Sequence, residues 1–133
     1  MYKREQLQGI LLTVARPEVT IYHSDRSKTG HTVRLRVMFR AKQEFLLALM
    51  RTFQQYNIDC IMRESEGVNR DKPVLIVGKR NSITNLINLI PEDVPTSHAE
   101  WATFSEVLEA LENNEHLEDE GMARLVTLVR GNE

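Results

Sequence analysis

The sequence predicts an α+β domain of α/β character, an antiparallel four-stranded sheet with helices on one face, in the order αββαββααα. Three observations carry this. Five stretches place apolar residues at helical spacing, and four short stretches alternate or run apolar as strands do. The strands come as two consecutive pairs with one helix between them, so two hairpins can join into one sheet. No long linker, low-complexity run or short repeat interrupts the order, so the expectation is one domain over residues 1–133.

The elements follow in turn. Residues 2–15 read as a helix, with Leu7, Ile10, Leu11 and Val14 at i, i+3, i+4 and i+7 and Pro17 as its stop. Residues 19–24 alternate as a strand, and Asp25 to Gly30 is a turn-rich loop. Residues 32–40 are the clearest strand: Val33, Leu35, Val37 and Phe39 point one way, and Thr32, Arg34, Arg36, Met38 and Arg40 the other. Residues 42–56 form a helix with Phe45, Leu49 and Phe53 spaced by four. Ile58, Cys60 and Met62 mark a third strand, Gly67 to Lys72 a polar turn, and Pro73 to Val77 a nearly all-apolar fourth strand. Ile83, Leu86, Ile87 and Ile90 mark a helix ended by Pro91, and Pro95 opens a linker. Trp101, Phe104, Val107, Leu108 and Leu111 share one face of the next helix, as core rather than as a base-stacking platform. Met122, Leu125, Val126 and Val129 belong to the last helix.

Composition excludes several classes. No apolar run nears the roughly 18 residues of a membrane span, and the start carries no signal-peptide pattern, so a cytoplasmic or nucleoid-associated location is expected. Cys60 is the one cysteine, expected as a buried structural thiol; it can form neither an internal disulfide nor a zinc cluster. Net charge is −2, which averages two opposite regions. Residues 1–91 hold 15 Lys and Arg against 8 Asp and Glu, or +7; residues 92–133 hold 2 against 11, or −9. A basic face with an acidic far side can grip phosphates; the plainer reading is a solvated basic sheet and solvated acidic helices.

The four histidines, His23, His31, His98 and His116, form no metal-binding pair, and no phosphate-binding glycine loop or nucleophile elbow is present. Glu118, Asp119 and Glu120 sit where a helix N-terminus favours negative charge. No cofactor is expected.

Several stretches, taken with the element order, resemble the LAGLIDADG homing-endonuclease domain. The first helix contains Leu7-Gln8-Gly9-Ile10-Leu11-Leu12-Thr13-Val14-Ala15, whose Leu7, Gly9, Ile10 and Leu11 match the apolar and glycine positions of the namesake motif. Toward the C-terminus, Phe104, Val107 and Leu108 precede His116-Leu117-Glu118-Asp119-Glu120-Gly121-Met122, then Leu125 and Leu128, much as the family's closing phrase runs. The segments FLLALMRTFQQYNI and VLIVGKRNSITNLINLIP also look like the family's second helix and its fourth-strand-to-helix passage. No single motif is strict; order and spacing together give the specificity.

The resemblance implies a face-to-face pairing of first helices. Gly9 and Thr13, four apart, leave a shallow groove, and a mid-helix glycine usually has a packing reason. One such helix per chain implies a C₂ homodimer through Leu7, Gly9, Ile10, Thr13 and Val14, unless the groove packs another helix of the same chain. The departure is at the acidic positions, where the family holds a divalent metal. Leu12 and Val14 stand there, and neither can ligate a hard cation. Ala15 stands at the final glycine, and Thr96-Ser97-His98 replaces a Lys-rich phrase. Glu18 is the nearest carboxylate and the one catalytic candidate.

The resemblance further implies that the sheet face turned from the helices meets the DNA major groove. That face would present Thr20, Tyr22 and Ser24 from the first strand and Arg34, Arg36 and Arg40 from the second. Arg63, and Lys79 or Arg80, would extend it. Arginine suits both phosphate and guanine. The leading expectation is a homodimer that binds double-stranded DNA without cutting it, in a regulatory role. One alternative is a divergent Mg²⁺-dependent site-specific endonuclease using Glu18. The other is a protein-interaction or inhibitor module with Glu106, Glu109, Glu112, Glu115 and Glu118 to Glu120 as its surface.

Overall fold

The computed structural model describes residues 1–64, 73–91 and 100–131. Helix α1 (Arg4–Thr13) leads into strands β1 (Arg16–His23) and β2 (His31–Arg40), then α2 (Gln43–Gln54), β3 (Ile61–Arg63), β4 (Val74–Val77) and α3 (Arg80–Ile87). Helix α4 (Glu100–Glu112), a 3₁₀ turn (Glu115–Leu117) and α5 (Asp119–Arg130) follow. The strands form one sheet in the order β1-β2-β4-β3, with β2–β4 and β3–β4 antiparallel. The expected α+β order holds, with the 3₁₀ turn as an addition. The expected turn at Gly67–Lys72 and the linker begun by Pro95 lie outside the described residues. Among the described residues, no helix is long and apolar enough to cross a membrane.

Three boundaries move for identifiable reasons. Strand β1 starts at Arg16 and contains Pro17, because β1 is an edge strand, where a missing N–H need not cost a ladder bond. The helix before it ends earlier, with Val14 as its C-cap. Only Ile61–Arg63 forms β3; Ile58 instead donates its N–H to the Phe53 carbonyl at 3.1 Å, closing the end of α2. Asn57, in the left-handed region at φ 59°, makes that turn.

Contacts divide the chain into two compact units. The first holds α1, β2 from Arg36 onward, α2, β3, β4 and α3. Its core gathers Leu7, Leu11, Val37, Phe39, Leu46, Leu49, Phe53, Leu75, Val77, Ile83 and Leu86, all essentially without solvent contact. The Phe39 and Phe53 rings, 5.4 Å apart, seat α2 on the sheet. Helix α1 is tied down by polar contacts as well: Tyr2 N–H donates to Thr52 Oγ1 at 2.9 Å, and Gln8 Nε2 to the Leu89 carbonyl at 3.1 Å.

The second unit holds β1 from Pro17, β2 through Leu35, α4, the 3₁₀ turn and α5. Trp101, Phe104, Val107, Leu108 and Leu111 are buried along α4, as their spacing predicts, and Met122 and Leu125 along α5. The Trp101 and Phe104 rings meet edge to face at 5.4 Å. Gly121 explains the His116–Met122 phrase. A side chain there would place its Cβ 2.7 Å from the Glu115 carbonyl carbon and closer still to its oxygen, so α5 can approach the 3₁₀ turn only with glycine. Arg124 and Glu115 add an ion pair across the same junction.

Candidate nucleic-acid interface

Register decides which side chains share a face, because residues directly opposite on neighbouring strands project the same way. In the first unit Phe39 is opposite Leu75, which is opposite Met62, and Val37 is opposite Val77. That row belongs to the core. On the other face Arg40 is opposite Val74, which is opposite Arg63, and Met38 is opposite Ile76, which is opposite Ile61. Arg63 therefore shares a face with Arg40. Two inter-strand steps separate their strands, about 10 Å. Arg36 has the same alternation on β2.

This face is less purely basic than alternation along β2 predicts. Met38, Val74 and Ile76 are buried on it as a second, small apolar cluster. The Arg40 guanidinium lies 3.8 Å from Met38 Sδ, so the arginine rests its stem and head against that cluster. Ile61, beside Ile76, stays 62% exposed. The result is an apolar patch edged by Arg36, Arg40 and Arg63. The sequence signal for the buried part was β4 itself, whose four consecutive apolar residues do not alternate and are all buried. Lys79 and Arg80 are not on the sheet. Lys79 caps α3 and pairs with Asp59 at 3.2 Å, and Arg80 is the first residue of that helix.

In the second unit the β1–β2 hairpin closes with Ser24 N–H donating to the Gly30 carbonyl at 2.9 Å. Tyr22 is exposed at the end of β1, and His23 Nε2 meets Asp25 Oδ1 at 2.9 Å beside it. Arg34 on β2 stands 3.9 Å from Glu18 on β1, and Thr20 Oγ1 donates to the same Glu18 oxygen at 3.5 Å. Glu18 thus lies on a strand among polar partners, with Thr20 and Arg34 on its face.

Helix α1 has two faces. Leu7, Leu11 and Ala15 are fully buried within the chain. Gly9 and Thr13 are exposed, Ile10 and Val14 half-buried. Thr13 Oγ1 donates back to the Gly9 carbonyl at 2.7 Å, and among the described residues nothing lies within 4 Å of where a Gly9 Cβ would stand. Leu7 is therefore occupied by the core, and the open strip consists of Gly9, Thr13, Ile10 and Val14.

The residues at the C-terminal end of α1 do not fit a divalent metal. Val14 caps the helix, Ala15 is buried and Leu12 is aliphatic, so the end offers hydrocarbon where a hard cation needs oxygen. The Thr96-Ser97-His98 segment lies outside the described residues. Cys60 is half-buried, and burial followed by the adjacent Asp59 charge pushes its thiol up to about 11.

The carboxylates of α4 and α5 are mostly on the surface. Glu106, Glu109, Glu112, Glu118, Asp119 and Glu120 are exposed, while Glu115 is half-buried against Arg124. Asp119 and Glu120 occupy the first turn of α5, where the helix dipole favours them.

No protein-family model matches the sequence, and no curated protein matches it. Solved structures do. The homing endonuclease I-TnaI superposes with a TM-score of 0.79 at 18% identity, covering 96% of this chain and 85% of that one. The archaeal intron-encoded homing endonuclease I-Vdi141I, complexed with DNA, gives 0.80 at 21% identity, covering 96% and 80%. The LAGLIDADG meganuclease I-CpaMI, bound to uncleaved DNA, gives 0.77 at 16% identity, covering 96% of this chain but 43% of that one. The chain therefore has the LAGLIDADG homing-endonuclease fold.

Proposed function

We propose that this chain is a single LAGLIDADG-like domain acting as a homodimer that binds double-stranded DNA through its outward sheet face and does not cleave it. The observation that carries the binding is the register that sets Arg40 and Arg63 on one face, with Arg36 at the same alternation on β2. Arg34, Tyr22 and Ser24, on the hairpin of the second unit, are proposed as DNA contacts of that unit. DNA in complex with structures of the same fold supports this choice of partner. The aliphatic end of α1 supports the loss of cleavage, since Leu12 and Val14 offer no ligand and no step is drawn through a metal. A regulatory role in the cytoplasm, associated with the nucleoid, follows from binding without cutting.

Pairing of two chains is supported by α1 and by length. Gly9 and Thr13 are exposed on α1, with Ile10 and Val14 half-buried beside them. The chain spans less than half of I-CpaMI, so a second copy would make up a comparable length.

Fluorescence anisotropy with a random-sequence duplex tests binding. Affinity should fall steeply as salt rises, because each arginine–phosphate contact displaces condensed counterions. Salt-insensitive or absent binding would remove the proposal. Incubating the same duplexes with Mg²⁺ or Mn²⁺ should leave them intact; cutting abolished by Glu18→Gln would restore the endonuclease alternative.

A further inference from the structure

Strand β1 is one edge of the sheet, with β2 as its neighbour on one side and no strand on the other among the described residues. Ser24, just past its end, directs its N–H to the Gly30 carbonyl, toward β2. By antiparallel alternation the N–H and C=O groups of Tyr22, Thr20 and Glu18 face β2 as well, and those of Ile21 and Val19 face the open edge. Pro17 falls in the open-edge set, where its missing N–H costs no ladder bond. An edge of this kind is a template for a further strand. Beside it, wholly within the second unit, lies a groove of about 340 Å³ between β1 and α5. Val19 and Ile21 line it from the strand, Val126 and Val129 from the helix, and each is only half-buried. Arg130 stands at the same groove, exposed and without an ion pair among the described residues.

We propose that the edge of β1 and the groove beside it form a peptide-docking site, which takes one extended segment of another protein as an added strand. The main-chain groups of Val19 and Ile21 bond the segment, and its alternate side chains enter the groove. The lining dictates the chemistry of the partner. Aliphatic walls favour apolar residues at every second position, and the Arg130 guanidinium favours a carboxylate beside them. That charge requirement selects a foreign segment over a second copy of β1. The one carboxylate of β1, Glu18, already accepts from Thr20 and stands near Arg34. The site uses none of the side chains assigned to duplex binding, so it stands or falls independently of that reading.

The test pans the full chain against a displayed library of random linear peptides of about ten residues, long enough for one strand. Selected peptides should alternate apolar and polar residues and carry an aspartate or glutamate. Their affinities are then measured by anisotropy for wild type, Ile21→Pro, Val129→Trp and Arg130→Glu, each shown to be folded by thermal melting. Ile21→Pro removes an N–H that faces the open edge and spares the bonds to β2, so it should weaken binding by roughly tenfold or more. Val129→Trp fills the groove from the helix side and should weaken the same peptides, which keeps the test intact if proline disturbs the hairpin. Arg130→Glu should select peptides without the acidic residue. N-methylation of alternate peptide amides should abolish binding in one of the two possible sets and leave it in the other, as an added strand requires. Failure to enrich any peptide, or enrichment without alternation, would overturn the inference. So would equal binding of the selected peptides to wild type, Ile21→Pro and Val129→Trp. Self-association that Ile21→Pro abolishes, with no peptide selected, would overturn it in favour of a second copy at this edge.

Discussion

Replacing Arg40 and Arg63 together with alanine gives the sharpest measure of the proposed interface. The two side chains are on one face with Val74 between them, their strands about 10 Å apart, close to the roughly 12 Å width of the major groove. If each guanidinium holds one phosphate, each chain contributes two contacts and a dimer four. The slope of log affinity against log salt should then lose about 0.9 per contact, or about 3.6 in all. Between 50 and 200 mM salt, that slope difference amounts to roughly a 150-fold change in the ratio of the two affinities. A monomer binding alone would lose only about 1.8, so the same titration reports stoichiometry at the interface. The assay is anisotropy on a random-sequence duplex across that salt range, with Glu109→Gln on exposed α4 as a control that should leave the slope unchanged. Arg40 also rests on Met38, so a melt of the double variant must show the apolar cluster intact. Parallel salt lines for a folded double variant would refute the phosphate contacts.

Other outcomes follow from the same geometry. Gly9→Leu should convert a dimer to a monomer by light scattering while the chain stays folded, because no described residue occupies the space beside Gly9 and leucine favours helix by up to about 1 kcal/mol over glycine; a monomeric wild type at high concentration would refute the pairing. Gly121→Ala should destabilise the chain by roughly 1–3 kcal/mol, read by denaturant unfolding, because the added carbon runs into the Glu115 backbone; an unchanged midpoint would show that this approach is not required. Cys60 should alkylate slowly at pH 7 and faster as pH rises toward about 11, because its raised pKa leaves the unreactive thiol dominant below that value; rapid labelling at neutral pH would contradict its burial.

Most of the fold was legible in the sequence because its elements are strongly periodic. Leu46, Leu49 and Phe53 of α2 and the apolar residues from Trp101 to Leu111 are buried as their spacing predicts, while Phe45 is half-buried. The departures come from information that periodicity does not contain. Pro17 looks like a helix stop, and the helix does end before it, yet on an edge strand it is also a strand residue. The alternation of Ile58, Cys60 and Met62 overstates β3, because Ile58 is claimed by the turn after α2. Leu7, Ile10 and Val14 look equivalent on a helical wheel. Packing against the rest of the chain buries Leu7 and leaves the other two half-open.

The candidate interface shows the same limit in a sharper form. Alternation within one strand predicts Arg34, Arg36 and Arg40 at every second position of one strand, an expectation drawn from backbone geometry alone. It could not place Arg63, whose face depends on the step from Arg40 to Val74 to Arg63 across two strands. Nor could it show that Met38 would be shielded by Val74, Ile76 and the Arg40 side chain, because that requires knowing which strand lies beside β2. Glu18 is the clearest case. As a sequence feature it is a lone carboxylate just past a degenerate motif, and the only chemistry available to it was the motif's own. The hairpin between β1 and β2 closes where Ser24 meets the Gly30 carbonyl, and Arg34 stands 3.9 Å from Glu18 across it. A loop of that length admits several registers, and a slip by one residue would turn the arginine to the opposite face. The 3.9 Å approach of Arg34 to Glu18 across the hairpin is therefore a property of the fold, which the sequence order alone does not contain.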